Sequence, residues 1–325
     1  MEEKIKDIKG YISGVKIVFL LAWISLIGLL SALGGDTSGQ DAALSSLMTP
    51  SVIRLLILFQ AVLVFFLPIA IFIFMDSIVA LFIKPSSNNS NLTPTSNKKS
   101  GLSLLTLGKS PRPVWVILGV LCMAASFPFV SWIGEMNAEM HLPAALSGIE
   151  KWMKAMETQS SKTSEILLND RSYIGLILNL FTIAFVAAFS EELFFRAALQ
   201  RTLTDTRINY HLGIWIAAFV FSAIHMQFFG FFPRLILGAI LGYLFYFTEN
   251  IWVSILAHFL NNGFVVVLGF FSKTEVSLNP LEKGKEDFDV SFGWPFAVIS
   301  LIVVISLFVL LRKITINKKG EALTD

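Results

Sequence analysis

Two adjacent carboxylates, Glu191 and Glu192, stand within the apolar run YIGLILNLFTIAFVAAFSEELFFRAALQRTL (173–203), and Arg196 follows four residues after Glu192. On a helix Glu192 and Arg196 share a face and can pair, whereas Glu191 projects about 100° away from Glu192. One carboxylate is then neutralised while its neighbour meets a different environment. A second apolar run, HLGIWIAAFVFSAIHMQ, carries His225 with Phe221 one turn earlier. A third, IWVSILAHFLNNGFVVVLGFF, carries His258 and Asn262 on one face, with Asn261 pointing elsewhere. A carboxylate and an imidazole that share a water can deprotonate it, and a histidine with an asparagine can donate hydrogen bonds to a developing oxyanion. A general base facing oxyanion donors describes amide hydrolysis. The same groups leave a second chemistry open, with Glu191, His225 and His258 holding zinc and water in the open position. No helix offers an H-E-x-x-H pair, so such a metal would draw its ligands from three helices.

Each of these runs is long and apolar enough to raise the question of a membrane. Of the 325 residues, 55% are hydrophobic and 15% charged, with 30 Phe and 7 Trp, and mean hydropathy is +0.72. A soluble domain carries about 25% charged residues. The net charge of +2 supplies no basic field for a polyanion, so no nucleic-acid partner is expected. The single cysteine, Cys122, sits in an apolar run and can form neither an internal disulfide nor a metal cluster. With about 20 apolar residues needed to cross a bilayer, eight spans are expected, at 14–34, 52–83, 114–134, 173–203, 212–227, 231–248, 250–271 and 294–312. The fold class is therefore an all-α, polytopic membrane helical bundle. The first span is read as uncleaved, since its apolar stretch outruns a signal-peptide core.

Lysine and arginine set the orientation. With the N-terminus in the cytoplasm, the inner segments hold 15 of them and the outer segments 7, while Arg54, Arg196 and Arg234 lie within spans. Both termini are thus expected in the cytoplasm. On that topology Glu191 lies about 18 Å from the inner end of its span, His225 about 20 Å, and His258 and Asn262 about 12 and 18 Å. All four can share one layer of the membrane.

The chain divides into a two-span N-terminal region (1–84), a polar Asn/Ser/Pro/Lys linker (85–113), a third span with an outer amphipathic segment (114–170), a core bearing the polar residues (171–271), and an outer loop, last span and tail (272–325). In 135–170, Leu142, Leu146, Ile149, Trp152, Met153 and Met156 recur at helical spacing, as expected either of a helix lying on the membrane surface or of an ordinary packed connector. Intramembrane charge is costly and usually functional. A transporter would need more of it along a continuous path than Asp76, Arg54 and Arg234 provide. A serine protease plan would need a nucleophile in a G-x-S-x-G-like setting, which Ser190, Ser222 and Ser254 lack. An aspartyl plan needs two intramembrane aspartates, and only Asp76 is clear.

EELFFR at 191–196 resembles an E-E-x-x-x-R motif, Phe221 to His225 resembles F-x-x-x-H, and His258 to Asn262 resembles H-x-x-x-N. In this order and spacing the set resembles the CPBP family of CAAX prenyl endopeptidases, bacteriocin-processing proteins and Abi-type immunity proteins, over roughly residues 170–270. The resemblance implies an intramembrane endopeptidase acting on a peptide or protein substrate at the lipid bilayer. It implies that Glu191 and His225 activate water, that His258 and Asn262 form the oxyanion hole, and that Glu192 and Arg196 support them. Both a metalloprotease and a metal-free, glutamate-dependent mechanism are attributed to the family. The oxyanion role accounts for Asn262, a poor zinc ligand, and favours the metal-free version. Ala197 departs from the Gly that relatives often carry. No motif marks a prenyl-binding surface. The family also admits a non-catalytic alternative, a membrane scaffold or a bacteriocin self-immunity protein on the same fold.

Overall fold

The computed structural model describes residues 48–71, 73–74, 107–108, 110–205, 208–272 and 292–321, with the isolated positions 16, 19, 22 and 23. Eight helices follow one another in these segments: α1 (Pro50–Ile71), α2 (Pro113–Ala138), α3 (Ser147–Leu168), α4 (Tyr173–Thr204), α5 (Tyr210–Ala223), α6 (Phe231–Thr248), α7 (Ile251–Phe271) and α8 (Trp294–Glu321). No strand occurs among the described residues. Six of the helices, all but α3 and α5, are long and apolar enough to cross a membrane, and the chain is an integral, multi-pass membrane protein. The expected first span, 14–34, lies almost wholly outside the described residues, as do most of the 85–113 linker and the 272–293 loop.

One expectation is corrected. The apolar pattern predicts a fifth span over 212–227 carrying His225. The helix stops at Ala223, and His225 stands in the turn beyond it. There the amide of His225 bonds back to the Ser222 carbonyl and that of Met226 to Ala223, a tightening of the last turn. Met226 then adopts a left-handed backbone, φ 54°, which ends the helix. Apolar periodicity through Ile224 and Met226 hides this stop, because neither Gly nor Pro marks it.

Local chemistry starts the other helices. Thr49 caps α1, with Pro50 at its first position, and Ser172 caps α4 by accepting from the Gly175 amide at 2.8 Å. Asn209 and Asn250 cap α5 and α7 in the same way. The link between α6 and α7 is only Glu249 and Asn250, so these helices form a tight antiparallel hairpin. Pro128 interrupts the ladder of α2. The Ser300 hydroxyl of α8 enters this region, donating to the Ala125 carbonyl at 2.5 Å and accepting from the Phe129 amide at 3.2 Å. Backbone groups freed inside a membrane need such partners.

α4 is the central post. It contains two wider, π-helical stretches, Leu180–Val186 and Leu193–Gln200, and every residue of the second is buried. A helix buried all round is one surrounded by others. α1, α5 and α7 pack around it, and α2 joins α6, α7 and α8 on the far side. The aromatic rings of Phe65, Phe194, Phe195 and Phe221 meet edge to face where α1, α4 and α5 converge. Small residues let the helices approach closely. A Cβ on Gly242 would come within 2.8 Å of both Gln200 Oε1 and Ile214 Cγ2. In contrast, α8 turns Phe296, Ile299, Ile302 and Ile305 outward, as a lipid-facing helix would.

α3 is amphipathic. It buries Met156, Glu157 and Ser161 and leaves Leu146 and Ile149, at its start, exposed. Its docking holds Trp152 against Phe228 (ring centroids 5.3 Å apart), and Glu157 Oε2 accepts from the Phe229 amide at 3.0 Å. α1 is fixed to this layer by a buried arginine. Arg54 donates to Asn179 Oδ1 at 3.0 Å and Asp170 Oδ2 at 2.7 Å, and Asn179 in turn donates to the Leu167 carbonyl at 2.6 Å.

Candidate active site

Glu191 and Glu192 sit on α4 immediately before its second wide stretch, and their side chains part as helical geometry requires. Glu192 points into the bundle and is fully buried. Its Oε2 lies 3.1 Å from Arg196 Nε, an ion pair whose angle falls short of a hydrogen bond. Its Oε1 lies 2.9 Å from His258 Nδ1 on α7. Arg196 is further held by donation to the Gly238 carbonyl of α6 at 2.9 Å and by the ring of Phe221, 5.0 Å from the guanidinium carbon. A buried charge needs this density of partners.

Glu191 points the other way, with 12% of its side chain exposed, and its Oε2 lies 3.9 Å from His258 Nε2. That separation exceeds a direct hydrogen bond. His258 therefore stands between the two carboxylates, bonded to one and facing the other. With the ionised Glu192 as acceptor, Nδ1 of His258 carries a proton. His225 is oriented by its own helix end, since Nδ1 lies 2.7 Å from the Phe221 carbonyl. A carbonyl only accepts, so Nδ1 carries the proton and Nε2 is left with a lone pair. Asn262 donates one amide proton to the Ile183 carbonyl at 3.2 Å, while Asn261 donates to its Oδ1 at 3.3 Å. A second Nδ2 proton of Asn262 remains.

Glu191, His225, His258 and Asn262 line a common chamber of about 290 Å³, together with Arg234 of α6. A larger vestibule of about 530 Å³ lies on the side of α3 and α1. Glu191 and His225 line both spaces and so form the wall between them. The vestibule side is lined by neutral hydrogen-bonding side chains, among them Gln60, Gln159, Ser160 and Thr163.

The sequence foresaw Glu192 as a partner of Arg196 and not as the residue that holds His258. It gave Arg234 and Arg54 as charges within spans but attached no site to either. Gln60, Gln159 and Thr163 carry no sequence signal, because an isolated amide or hydroxyl has no period. The zinc arrangement of Glu191, His225 and His258 does not fit. Among the described residues no three His, Cys, Asp or Glu side chains are placed to hold a metal ion.

Residues 173–264 match the family described as type II CAAX prenyl endopeptidase Rce1-like, the same part of the chain that carries the CPBP motifs. The chain is also similar to the uncharacterized protein YpbD of Bacillus subtilis (strain 168), with 24% identity over 135 residues. That alignment covers 40% of this chain and 64% of YpbD, so the chain spans less than two thirds of that relative. No solved structure matches.

Proposed function

We propose that this chain is an intramembrane endopeptidase of the CAAX type, hydrolysing a peptide bond of a membrane-associated substrate with a glutamate-activated water. The Rce1-like match over 173–264 supports the reaction class. The observation that carries the mechanism is the position of Glu191 Oε2, 3.9 Å from His258 Nε2 in a chamber shared with His225 and Asn262.

Glu191 takes a proton from a water that also donates to the free Nε2 of His225. The water oxygen adds to the scissile carbonyl carbon, and the carbonyl oxygen becomes an oxyanion. Asn262 Nδ2 and His258 Nε2 donate to that oxyanion. Donation by His258 requires a proton on each ring nitrogen, and the resulting imidazolium faces the Glu192 carboxylate at 2.9 Å. Each preorganised donor is worth about 3 kcal/mol of barrier. The intermediate collapses as the C–N bond breaks, and the proton held by Glu191 passes to the leaving amine. One product keeps the new carboxylate and the other the amine. Glu192 and Arg196 position His258 and take no part in proton transfer. The N- and C-termini lie in the cytoplasm on the lysine and arginine asymmetry, which puts α3 and the vestibule on the outer side.

The test is comparative peptide profiling of membranes holding the wild type or Glu191→Ala at matched levels, each with and without a chelator. Expected is a set of peptides that depends on Glu191 and persists in chelator. Identical profiles from the two proteins would refute catalysis and leave the scaffold or self-immunity reading. Loss of the peptides in chelator alone would refute the metal-free mechanism.

A further inference from the structure

The turn that carries His225 is strained. Met226 holds a left-handed backbone, φ 54°, and such a residue, when it is not glycine, persists only where its surroundings over-determine it. The competing form is a helix that continues, since Ile224 and Met226 carry the apolar pattern of α5 onward. In that form the backbone amide of His225 would take the Phe221 carbonyl, four residues back. In the structure it bonds to the Ser222 carbonyl at 3.3 Å. The Phe221 carbonyl is thereby left to His225 Nδ1, 2.7 Å away. The turn thus decides which imidazole nitrogen carries the proton and which keeps a lone pair.

What holds the turn comes largely from other helices. Asn137 lies in the last turn of α2 and is 4% exposed. Its Nδ2 donates to the Phe228 carbonyl at 3.0 Å, and its Oδ1 accepts from the Phe232 amide at 2.9 Å. These two backbone groups, four residues apart, are the pair that a continuous helix would bond to each other. One carboxamide thus stands in for a turn of helix where α6 begins, at Phe231. The Ser222 hydroxyl donates to the Phe231 carbonyl at 2.6 Å, and Glu157 of α3 accepts from the Phe229 amide at 3.0 Å. Asn137 serves both a donor and an acceptor of the connection, and the other two serve one each. Its support is firm, because α2 packs on α6, α7 and α8. Resting on the proposed protease reading, we infer that Asn137 is a positioning residue for His225: its carboxamide holds the connection from α5 to α6 in the form that leaves the Phe221 carbonyl to the imidazole, and so sets the nitrogen that meets the attacking water. Without it the Phe228 carbonyl and the Phe232 amide would need new partners inside the membrane, and an extended α5 would draw the Phe221 carbonyl back into the helix.

The test uses the purified full chain in proteoliposomes, labelled with nitrogen-15 at its four histidines, and randomised quenched-fluorescent peptides as substrate. Solid-state NMR reads the protonation of each ring nitrogen, and the His225 signals are those lost in His225→Gln. The wild type should show His225 as one tautomer with the proton on Nδ1. Asn137→Leu, which removes the carboxamide at similar volume, should lose that single tautomer. Its kcat for Glu191-dependent cleavage should fall about 100-fold, the cost of roughly 1 Å of misplacement, with KM unchanged. Asn137→Gln carries the same amide and should restore part of both. A folded Asn137→Leu protein with the wild-type His225 tautomer and the wild-type kcat would overturn the inference, even if its Tm were lower. Where Asn137→Leu does not fold, Asn137→Ser replaces it, since a short hydroxyl cannot span both backbone groups. Failure of both to fold would overturn the inference too, making Asn137 a requirement of folding. Absence of Glu191-dependent cleavage by the wild type would refute the protease reading, and the tautomer comparison would still decide whether Asn137 sets His225.

Discussion

Glu192→Gln separates two tasks that one buried carboxylate combines. Glu192 gives Oε1 to His258 Nδ1 at 2.9 Å and Oε2 to Arg196 Nε at 3.1 Å. The amide keeps the shape and removes the charge. Arg196, 1% exposed, is left with the Gly238 carbonyl and two phenylalanine rings. Breaking a buried pair from one side costs about 3–5 kcal/mol, so Tm in detergent should fall by roughly 6–20 °C at 2–4 °C per kcal/mol. On the proposed mechanism activity should fall for a separate reason, since the carboxylate that holds Nδ1 of His258 becomes an amide. Loss of one oxyanion donor lowers kcat by about 10²–10³. The double variant Glu192→Gln/Arg196→Met distinguishes the two effects. Removing both members of a buried pair is often neutral for stability, so Tm should return toward wild type while kcat stays low. The assay is thermal unfolding and Glu191-dependent peptide cleavage on the same preparations. Recovery of activity together with Tm in the double variant would refute the reasoning, because Glu192 would then matter only as the counter-ion of Arg196.

Three further outcomes follow from the packing. Gly242→Ala places a methyl 2.8 Å from both Gln200 Oε1 and Ile214 Cγ2, and it should cost about 1–3 kcal/mol by overpacking, read as a lower Tm. Arg54→Met should release α1, detected as faster hydrogen exchange over 50–71. In the wild type, burial pushes Asp170 up, but its hydrogen bonds from Arg54 and Ser172 outweigh burial and hold the carboxyl below its ordinary 3.8. That attachment is in place above the ordinary value and lost as pH falls through the lower folded one. Exchange over 50–71, corrected for its intrinsic rate, should therefore stay flat from about pH 8 to 5 and rise only below about pH 4. Burial pushes Glu157 above its ordinary 4.5, against the Phe229 amide and the charge of Arg234. A raised carboxyl contributes stability below its unfolded pKa that is lost as pH rises through the folded one. Glu157→Gln should accordingly raise Tm at pH 8 and leave it unchanged near pH 4, and an unchanged Tm at both would count against this account of its burial.

What was legible in the sequence was whatever had a period or a high cost. Apolar runs gave α2, α4, α6 and α7 to within a few residues, because a membrane helix must satisfy its own backbone and so cannot be interrupted cheaply. Intramembrane charges drew attention to Glu191, Glu192 and Arg196 for the same reason. The end of α5 was not legible. Two weak local events, tightened hydrogen bonds at His225 and Met226 and a left-handed Met226, outcompeted an apolar pattern that ran on unchanged. The partnership of Glu192 with His258 was also hidden, since it joins positions 66 apart in the chain and no helical spacing reports a neighbour on another helix. The depth argument could align the polar residues in a layer but could not choose partners within it.

That choice explains why two glutamates stand side by side. A single carboxylate between Arg196 and the chamber would have to be both a permanent counter-ion and a base that gains and loses a proton. A guanidinium at 3.1 Å commits that carboxylate to an ion pair inside the bundle. Placing the second carboxylate one residue earlier turns it about 100° away, out of the ion pair and toward the chamber, on the same rigid helix. The wide stretch Leu193–Gln200 that begins immediately afterwards is wholly buried, and it fixes the axial position of both groups against α5, α6 and α7. His258 couples them, bonded to the fixed carboxylate and facing the one left free. On this reasoning, exchanging the roles should fail in either direction. Glu191→Gln should abolish cleavage and leave Tm near wild type, because the approach of Glu191 to His258 at 3.9 Å is longer than a direct hydrogen bond. Glu192→Gln should lower both. A Glu191→Gln protein as unstable as Glu192→Gln would show that the two carboxylates share one structural duty, and the division of labour would be wrong.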